Sequence, residues 1–190
     1  MRVVAGRFKG RNLVAPRDGA TRPTSEKVRE AVFSMLGPID GLTVLDAFAG
    51  TGALGIEALS RGAARVVFVE SRRPALGALK DNLATVGADS PEATMIARPV
   101  ERAREAIAPH GPFDLVFADP PWAMIDGGEA PRALGALLAD PTSAAEAMLV
   151  LEHASRSPAP AIEGFTVDET RKWGDTAVTF YRRSPSPTDG

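Results

Sequence analysis

The sequence contains no cysteine and only two histidines, His110 and His153, among its 190 residues. Without thiols the chain can form no disulfide bond, no thiolate metal site and no cysteine nucleophile. Because the two histidines lie far apart in sequence, we predict no metal site. No segment approaches the roughly 20 consecutive apolar residues of a membrane-spanning helix, and no signal-peptide-like apolar segment follows Arg2. We therefore expect a cytoplasmic protein that does not act at a membrane.

Charge is unevenly distributed along the chain. Residues 1–36 carry eight lysines and arginines against three acidic residues, whereas the remaining residues carry 14 and 21. A basic extension on an acidic body is typical of proteins that bind nucleic acid, although an ordinary solvated charged surface gives the same counts. We expect a basic extension at residues 1–38, a larger domain at 39–183 and a disordered tail, rich in proline and serine, at 184–190.

The extension begins with a pattern that indicates a small hairpin. Apolar runs at residues 1–5 and 12–15 flank the basic, glycine-punctuated segment Gly6–Arg11. The glycines would let the backbone approach a phosphate chain closely, and the cations would neutralise it. The candidate nucleic-acid contacts in this segment are Arg7, Lys9 and Arg11.

A helix should complete the extension. Thr24 or Ser25 can cap its first turn, and Gly37 followed by proline should end it. Arg22 and Arg29 lie off the apolar stripe of this helical pattern, so we expect both to be available to a ligand.

The rest of the chain alternates strand and helix patterns, which predicts a doubly wound, mainly parallel α/β sheet. The predicted strands are residues 43–47, 65–69, 94–97, 113–118 and 147–151. One predicted helix ends at Leu59, and three others span residues 73–86, 101–108 and 130–139. Residues 165–171 and 176–182 should close the sheet as an antiparallel hairpin.

The turn after the first strand carries the spacing Gly50-x-Gly52-x-x-Gly55, which also occurs in dinucleotide-binding folds. Glu70 follows 20 residues after Gly50, where an acid can accept ribose hydroxyls. Asp46, however, ends the strand just before the turn, and a carboxylate there suits a cation better than a pyrophosphate. We therefore favour S-adenosylmethionine, which carries an ammonium, a sulfonium and a ribose, over a nicotinamide cofactor. The candidate cofactor-binding residues are Asp46, Ala47, Phe48, Gly50, Thr51, Gly52, Glu70 and Ser71.

The fourth predicted strand, Phe113–Ala118, runs directly into Asp119-Pro120-Pro121-Trp122. Ligand sites in open α/β sheets lie beyond the carboxyl ends of the strands. These four residues offer a carboxylate, a carbonyl held by restricted backbone geometry and a flat aromatic face, which suit a planar group with an exocyclic amine. A proline-kinked turn with a core tryptophan is the alternative. We take Asp119, Pro120, Pro121 and Trp122 as the candidate catalytic residues.

Together these motifs resemble those of the class I, Rossmann-like adenosylmethionine-dependent methyltransferases. Within that class the chain is similar to the RsmD family, bacterial enzymes that methylate the guanine 2-amino group in small-subunit ribosomal RNA. The matching residues are Gly6-Arg7-x-Lys9-Gly10-Arg11-x-Leu13, Arg22-Pro23-Thr24, Arg29-Glu30-x-x-Phe33, Leu45-Asp46-x-Phe48-Ala49-Gly50-x-Gly52-Ala53-Leu54-Gly55, Glu57-Ala58-Leu59-Ser60-Arg61 and Asp119-Pro120-Pro121. The chain departs from the family pattern in two places. Trp122 stands where relatives often carry Phe or Tyr, and Ala97-Arg98-Pro99-Val100 offers no obvious side chain to adenine.

The resemblance implies a seven-stranded, mainly parallel sheet with an antiparallel closing hairpin and an N-terminal hairpin-and-helix extension that engages RNA. It implies methyl transfer from S-adenosylmethionine to a guanine 2-amino group, with 16S ribosomal RNA or the small ribosomal subunit as partner, no metal, and a monomeric enzyme. The residues that it assigns to RNA are Arg7, Lys9, Arg11, Arg22, Thr24 and Arg29. Two alternatives stay open, a methyltransferase for another base or a protein glutamine, and a non-catalytic RNA-binding assembly factor.

Overall fold

The computed structural model describes residues 1–16 and 25–184. The strands are β1 (Thr43–Ala47), β2 (Arg65–Glu70), β3 (Ala93–Ala97), β4 (Phe113–Ala118), β5 (Ser143–Ala154), β6 (Phe165–Trp173) and β7 (Thr176–Arg183). The helices are α1 (Glu26–Leu36), α2 (Ala53–Ser60), α3 (Arg73–Val86), α4 (Arg104–Ile107), α5 (Trp122–Asp126) and α6 (Glu129–Leu138), with 3₁₀ turns at Val100–Arg102 and Ala108–His110. None of these helices is long and apolar enough to cross a membrane.

All seven strands form one sheet in the order β3-β2-β1-β4-β5-β7-β6. Strands β1 to β5 are parallel, and β7 pairs antiparallel with both β5 and β6. The strand order reverses between β1 and β4, where Ala47 is the register partner of Ala118. Such a reversal opens a crevice at the carboxyl ends of the strands, which is where α/β sheets bind ligands. The predicted α/β sheet with an antiparallel closing hairpin is confirmed.

Helices cover both faces of the sheet. On one face α1, α2 and α3 share an apolar core with the N-terminal segment, and the rings of Phe33 in α1 and Phe117 in β4 lie 5.4 Å apart. On the other face α4 and α6 pack their apolar side chains, such as Leu134, against the sheet. Helix α1 begins as expected, because the Ser25 hydroxyl accepts a hydrogen bond from the Val28 N–H, and Gly37 ends it.

The N-terminal segment forms the predicted hairpin, although a short one: Arg2 and Asn12 form an antiparallel bridge, and the N–H groups of Val3 and Leu13 donate to the Arg11 and Met1 carbonyls at 3.0 and 2.8 Å. The N–H groups of Val4 and Ala5 donate to the Glu57 carboxylate of α2, at 2.7 and 3.0 Å. Gly6 then passes so close to α2 that a Cβ there would overlap the Ser60 carbonyl. The N-terminal segment therefore packs against α2 and does not extend away from the domain.

Three further elements differ from the sequence-based expectations. Helix α5 begins at Trp122, where the sequence predicts no helix. Strand β5 is 12 residues long and extends beyond the predicted segment at both ends. The predicted helix at 101–108 is divided into short 3₁₀ and α segments. By contrast, the bounds of β4 and α3 coincide with the predicted ones.

Candidate active site

A cavity of about 670 Å³ lies at the carboxyl ends of β1, β2 and β4. It brings together ten of the predicted site residues, namely Asp46, Phe48, Gly50, Thr51, Glu70, Ser71, Asp119, Pro120, Pro121 and Trp122. Two predicted cofactor residues do not line it. Ala47 is buried in the apolar core on the α6 face, and Gly52 packs toward Leu79 of α3. The cavity thus joins the glycine turn after β1 to the Asp-Pro-Pro-Trp segment after β4.

The turn between β1 and α2 has an unusual backbone. Phe48 is the non-glycine residue with a positive φ, 64°, among those described, and it lines the cavity. Residues with a side chain seldom adopt this conformation, and where they do the position is often functional. Gly55 serves packing, since a Cβ there would overlap the Phe68 ring and lie 2.9 Å from Val66 Cγ1. Because α2 packs closely on β2, the turn that precedes α2 lies at the edge of the cavity.

Asp46 is almost completely buried at the end of β1, and its Oδ2 accepts a hydrogen bond from the Gly55 N–H at 2.9 Å. Burial raises the pKa of Asp46 to about 8; the Gly55 hydrogen bond opposes this shift and the charge of Glu70 adds to it. A cation placed beside this carboxyl group would favour its ionised form. The position therefore suits an ammonium group far better than a phosphate.

Glu70 is the last residue of β2, and its carboxylate lies against the glycine turn. Its Oε2 accepts from the Gly50 N–H at 2.9 Å, and its Oε1 accepts from the N–H groups of Ser71 and Arg72 at 2.8 and 2.7 Å. A carboxylate offers about four acceptor positions, so one on Oε2 faces no donor from the described residues. In dinucleotide-binding folds the N–H groups of this turn face a pyrophosphate. Here Gly50 and Gly55 donate to carboxylates instead, which disfavours a phosphate at this place.

The Asp-Pro-Pro-Trp segment leads from β4 into α5. Asp119 is half-buried and Pro120 is buried, and both line the cavity. The Pro121 carbonyl accepts from the Met124 N–H at 2.9 Å as α5 begins, whereas the Pro120 carbonyl accepts no backbone or side-chain donor from residues 1–16 and 25–184. The carbonyl that precedes the helix is therefore available to a ligand. Trp122, half-buried, is the first residue of α5, which holds its indole at the cavity.

Several residues of the cavity wall were not anticipated from the sequence. The charged ones are Arg72, Arg98, Glu101 and Glu152, and Met124 joins them from α5. Glu152 could have been found, because it directly follows the predicted strand 147–151 as Asp119 follows β4. Met124 could not, since its position depends on the unpredicted helix. Within the described ranges, no three histidine, aspartate or glutamate side chains group as a metal site.

The basic residues of the N-terminal segment have different surroundings. Lys9 and Arg11 are exposed, while Arg7 is exposed but forms an ion pair with Glu92 and lies over the Phe8 ring, 4.4 Å from its centroid. Phe8 packs against the apolar core. Arg22 and Thr24 lie outside the described residues.

The expectation that Arg29 is available to RNA is wrong. Its side chain is fully buried, and Nη2 donates to the Arg2 carbonyl. Burial lowers the pKa of Arg29, and the nearby carboxylates of Glu57 and Glu26 oppose that shift. Arg29 therefore holds α1 to the N-terminal segment.

Comparisons with known proteins give consistent matches. The family model described as conserved hypothetical protein 95 matches residues 1–182. Ribosomal RNA small subunit methyltransferase D of Escherichia coli (strain K12) is 34% identical over 187 residues, which are 96% of this chain and 90% of that protein. The Bacillus subtilis (strain 168) protein YlbH is 38% identical over 188 residues, 96% of this chain and 99% of its own. The solved structure of Escherichia coli yhhF superposes with a TM-score of 0.80 at 31% identity, covering 98% of this chain and 99% of that one.

Proposed function

The chain belongs to the RsmD family, and from this premise we propose that it transfers a methyl group from S-adenosylmethionine to the exocyclic 2-amino group of a guanine in 16S ribosomal RNA. One observation carries the proposal: Asp119, the Pro120 carbonyl and Trp122 line the same cavity as Asp46 and Glu70. The residues suited to a planar amine and those suited to a cationic nucleoside therefore line one continuous cavity.

The residues present suit S-adenosylmethionine. Asp46 would hold its ammonium group, and the remaining acceptor position of Glu70 Oε2 would take a ribose hydroxyl. The turn disfavours a pyrophosphate, because the N–H groups of Gly50 and Gly55 already donate to the carboxylates of Glu70 and Asp46. Pro99 and Val100 line the wall near β3, where the adenine would lie between apolar surfaces. When bound, the cofactor supplies an electrophilic methyl group.

The protein's own part is to orient and activate the guanine amine. That nitrogen is a poor nucleophile because its lone pair is delocalised into the ring. Asp119 and the Pro120 carbonyl would accept its two hydrogens, which fixes the nitrogen and stabilises the positive charge that develops on it. Trp122 would stack on the base, a contact worth roughly 1–3 kcal/mol. Since the reaction is an in-line displacement, this alignment supplies a large part of the rate.

The RNA would reach the site across the N-terminal segment. Lys9 and Arg11 are exposed there. The Val14 N–H donates to the side chain of Asn82 in α3, and the same side chain donates to the Thr51 carbonyl at the cavity wall, at 2.9 Å. A target guanine within a helix would have to be unstacked to enter the cavity. A ribosomal RNA substrate puts the reaction in the cytoplasm, and we propose that a monomer carries it out without a metal.

Methyl transfer from labelled S-adenosylmethionine tests the proposal. Small subunits that lack the modification, naked 16S RNA and protein extract are offered separately, and the product nucleotide is identified by digestion and chromatography. We expect label in N2-methylguanosine of one nucleotide. Label in a methylated adenine or in glutamine would replace the guanine assignment, and RNA binding without any transfer would support a non-catalytic assembly factor.

A further inference from the structure

Asn82 of α3 is fully buried, and its amide group joins two segments that lie far from it in the sequence. Its Oδ1 accepts a hydrogen bond from the Val14 N–H at 2.7 Å. Its Nδ2 donates to the Val14 carbonyl at 3.1 Å and to the Thr51 carbonyl at 2.9 Å. The oxygen and both N–H groups of the amide are thereby used. This side chain therefore connects the N-terminal segment with the glycine turn.

The Thr51 end of this connection lies in the wall of the cavity. The peptide group between Thr51 and Gly52 is held from both sides. Its carbonyl accepts from Asn82 at 2.9 Å, and its N–H donates to the Ala49 carbonyl at 2.7 Å. Gly52 is the N-cap of α2 and has a φ of 76°, so the orientation of this peptide sets where the helix begins. Asn82 therefore fixes the backbone of the turn where the turn borders the cofactor pocket.

The Val14 end of the connection depends on the N-terminal segment. The Val14 side chain is 50% exposed, but its backbone N–H and carbonyl both bind Asn82. If Val14 were displaced, the buried amide would keep the Thr51 carbonyl as its one partner among the described residues. A buried polar group that lacks partners is unfavourable, so the amide would leave this orientation. Val14 thus sets the orientation in which Asn82 reaches Thr51.

We propose that Asn82 is a positioning residue for S-adenosylmethionine, and that the N-terminal segment supports the cofactor pocket through it. The turn then has its binding geometry before the cofactor arrives, which lowers the free energy needed to order it on binding. The segment has this role in addition to its contact with RNA. The inference rests on the proposed function for the identity of the cofactor, and it assigns Asn82 no contact with the reacting atoms.

Calorimetry with S-adenosylmethionine tests this role, since no methyl transfer interferes when RNA is omitted. Asn82→Leu keeps a side chain of similar size but removes all three hydrogen bonds, so the free turn relaxes. Binding must then restore the geometry, and we expect the dissociation constant to rise about tenfold. In steady-state assays the KM for S-adenosylmethionine should rise by a similar factor, while kcat at saturating cofactor stays within about twofold of the parent's.

Ser60→Ala is the control for a general loosening of the N-terminal segment. The buried Ser60 hydroxyl accepts from the Phe8 N–H at 2.9 Å and donates to the Ala5 carbonyl, and neither partner belongs to the glycine turn. This variant should lower the melting temperature, because two hydrogen bonds of the segment are lost. Its dissociation constant for S-adenosylmethionine should stay within about twofold of the parent's.

Two variants of Val14 keep the inference testable if Asn82→Leu does not fold. Proline has no backbone N–H, so Val14→Pro removes the donor to Asn82 Oδ1. Val14→Ala keeps that N–H and shortens only a half-exposed side chain. Val14→Pro should raise the dissociation constant for S-adenosylmethionine about two- to tenfold, and Val14→Ala should leave it unchanged.

Three results overturn the inference. The first is a parental dissociation constant in folded Asn82→Leu or Val14→Pro. The second is an equal rise in Ser60→Ala, which would mean that any loosening of the segment has the same effect. The third is a fall in kcat for Asn82→Leu with an unchanged KM for S-adenosylmethionine. If the parent itself binds no S-adenosylmethionine, the proposed function has failed, and this outcome is distinct from the others.

Discussion

The Oε2 atom of Glu70 and the backbone nitrogen of Gly50 lie 2.9 Å apart in a hydrogen bond. The two residues are 20 positions apart in the sequence, the spacing that in dinucleotide-binding folds places an acid on a ribose while the turn holds a pyrophosphate. Here the Glu70 carboxylate accepts a hydrogen bond from the turn itself. A carboxylate at the Gly50 N–H repels phosphate and attracts cations, so one contact changes the class of nucleoside that the fold suits.

Asp119→Asn should lower kcat about 10²- to 10⁴-fold, because a neutral amide accepts the amine hydrogen weakly and does not stabilise positive charge. The dissociation constant for S-adenosylmethionine, measured by calorimetry, should stay within about twofold of the parent's, since the variant leaves Asp46 and Glu70 intact. Asp126→Asn, an exposed acid at the end of α5 that lies outside the cavity, is the control. Full turnover by Asp119→Asn would remove this residue from the mechanism.

Asp46 should make stability and cofactor binding depend on pH. Its pKa rises from an ordinary 3.8 to about 8 on burial, so the folded state holds a proton that the unfolded state has lost between these values. The free energy of unfolding should therefore fall as pH rises from 5 to 8, and Asp46→Asn should remove that part of the dependence. Urea unfolding at several pH values measures it.

The same group predicts a proton effect on binding. The ammonium of S-adenosylmethionine favours ionised Asp46, so binding below pH 8 should release a proton, and affinity should increase from pH 6 to 8. Calorimetry in buffers of different ionisation enthalpy counts the proton. A binding enthalpy that does not vary with the buffer would argue against contact between the ammonium and Asp46.

Gly55→Ala should destabilise the protein by about 1–3 kcal/mol, because the new methyl group overlaps the Phe68 ring between α2 and β2. Gly77→Ala in α3 is the matched control. Gly77 is exposed, and a Cβ there meets nothing within 4 Å, so the gain in helix propensity should stabilise by about 0.5–1 kcal/mol. Thermal and urea unfolding measure both changes, and equal effects at the two sites would refute the packing argument.

Glu57→Gln should loosen the N-terminal segment. The buried carboxylate accepts from Val4, Ala5 and Arg61, and an amide would turn its own donor toward one of these N–H groups. We expect a loss of about 1–3 kcal/mol and faster proteolysis within residues 1–16. Glu105→Gln, at an exposed position in α4, should change neither. Unaltered cleavage in Glu57→Gln would mean that the apolar contacts of Val3 and Leu13 suffice to hold the segment.

Lys9→Glu and Arg11→Glu should each weaken binding to small-subunit RNA and lower the slope of log affinity against log salt by about 0.7–0.9, the value for one lost phosphate contact. Lys172→Glu, an exposed charge reversal on β6, should alter neither quantity. Filter binding at several salt concentrations measures these effects. Parental slopes in both N-terminal variants would leave this segment a structural role only.

Much of the architecture could be predicted from the sequence because local patterns specify it. The apolar run Phe113–Ala118 and the helical periodicity of Arg73–Val86 gave the bounds of β4 and α3 that the structure has. The glycine turn, Asp46 and Glu70 could be placed at one sheet edge because parallel strands align their carboxyl ends. Such features depend on neighbours in the chain, and a single sequence contains them.

Only the tertiary structure decided which polar groups meet across long separations. Arg29 looked available to RNA, yet it is buried against the Arg2 carbonyl, 27 residues away. Glu57 in α2 accepts hydrogen bonds from the N–H groups of Val4 and Ala5, which lie 53 and 52 residues away in the sequence. Glu152 stands level with Asp119 because of the register between β4 and β5. Strand order and helix docking set these partners, and burial then makes each unsatisfied polar group unfavourable, which no local pattern encodes.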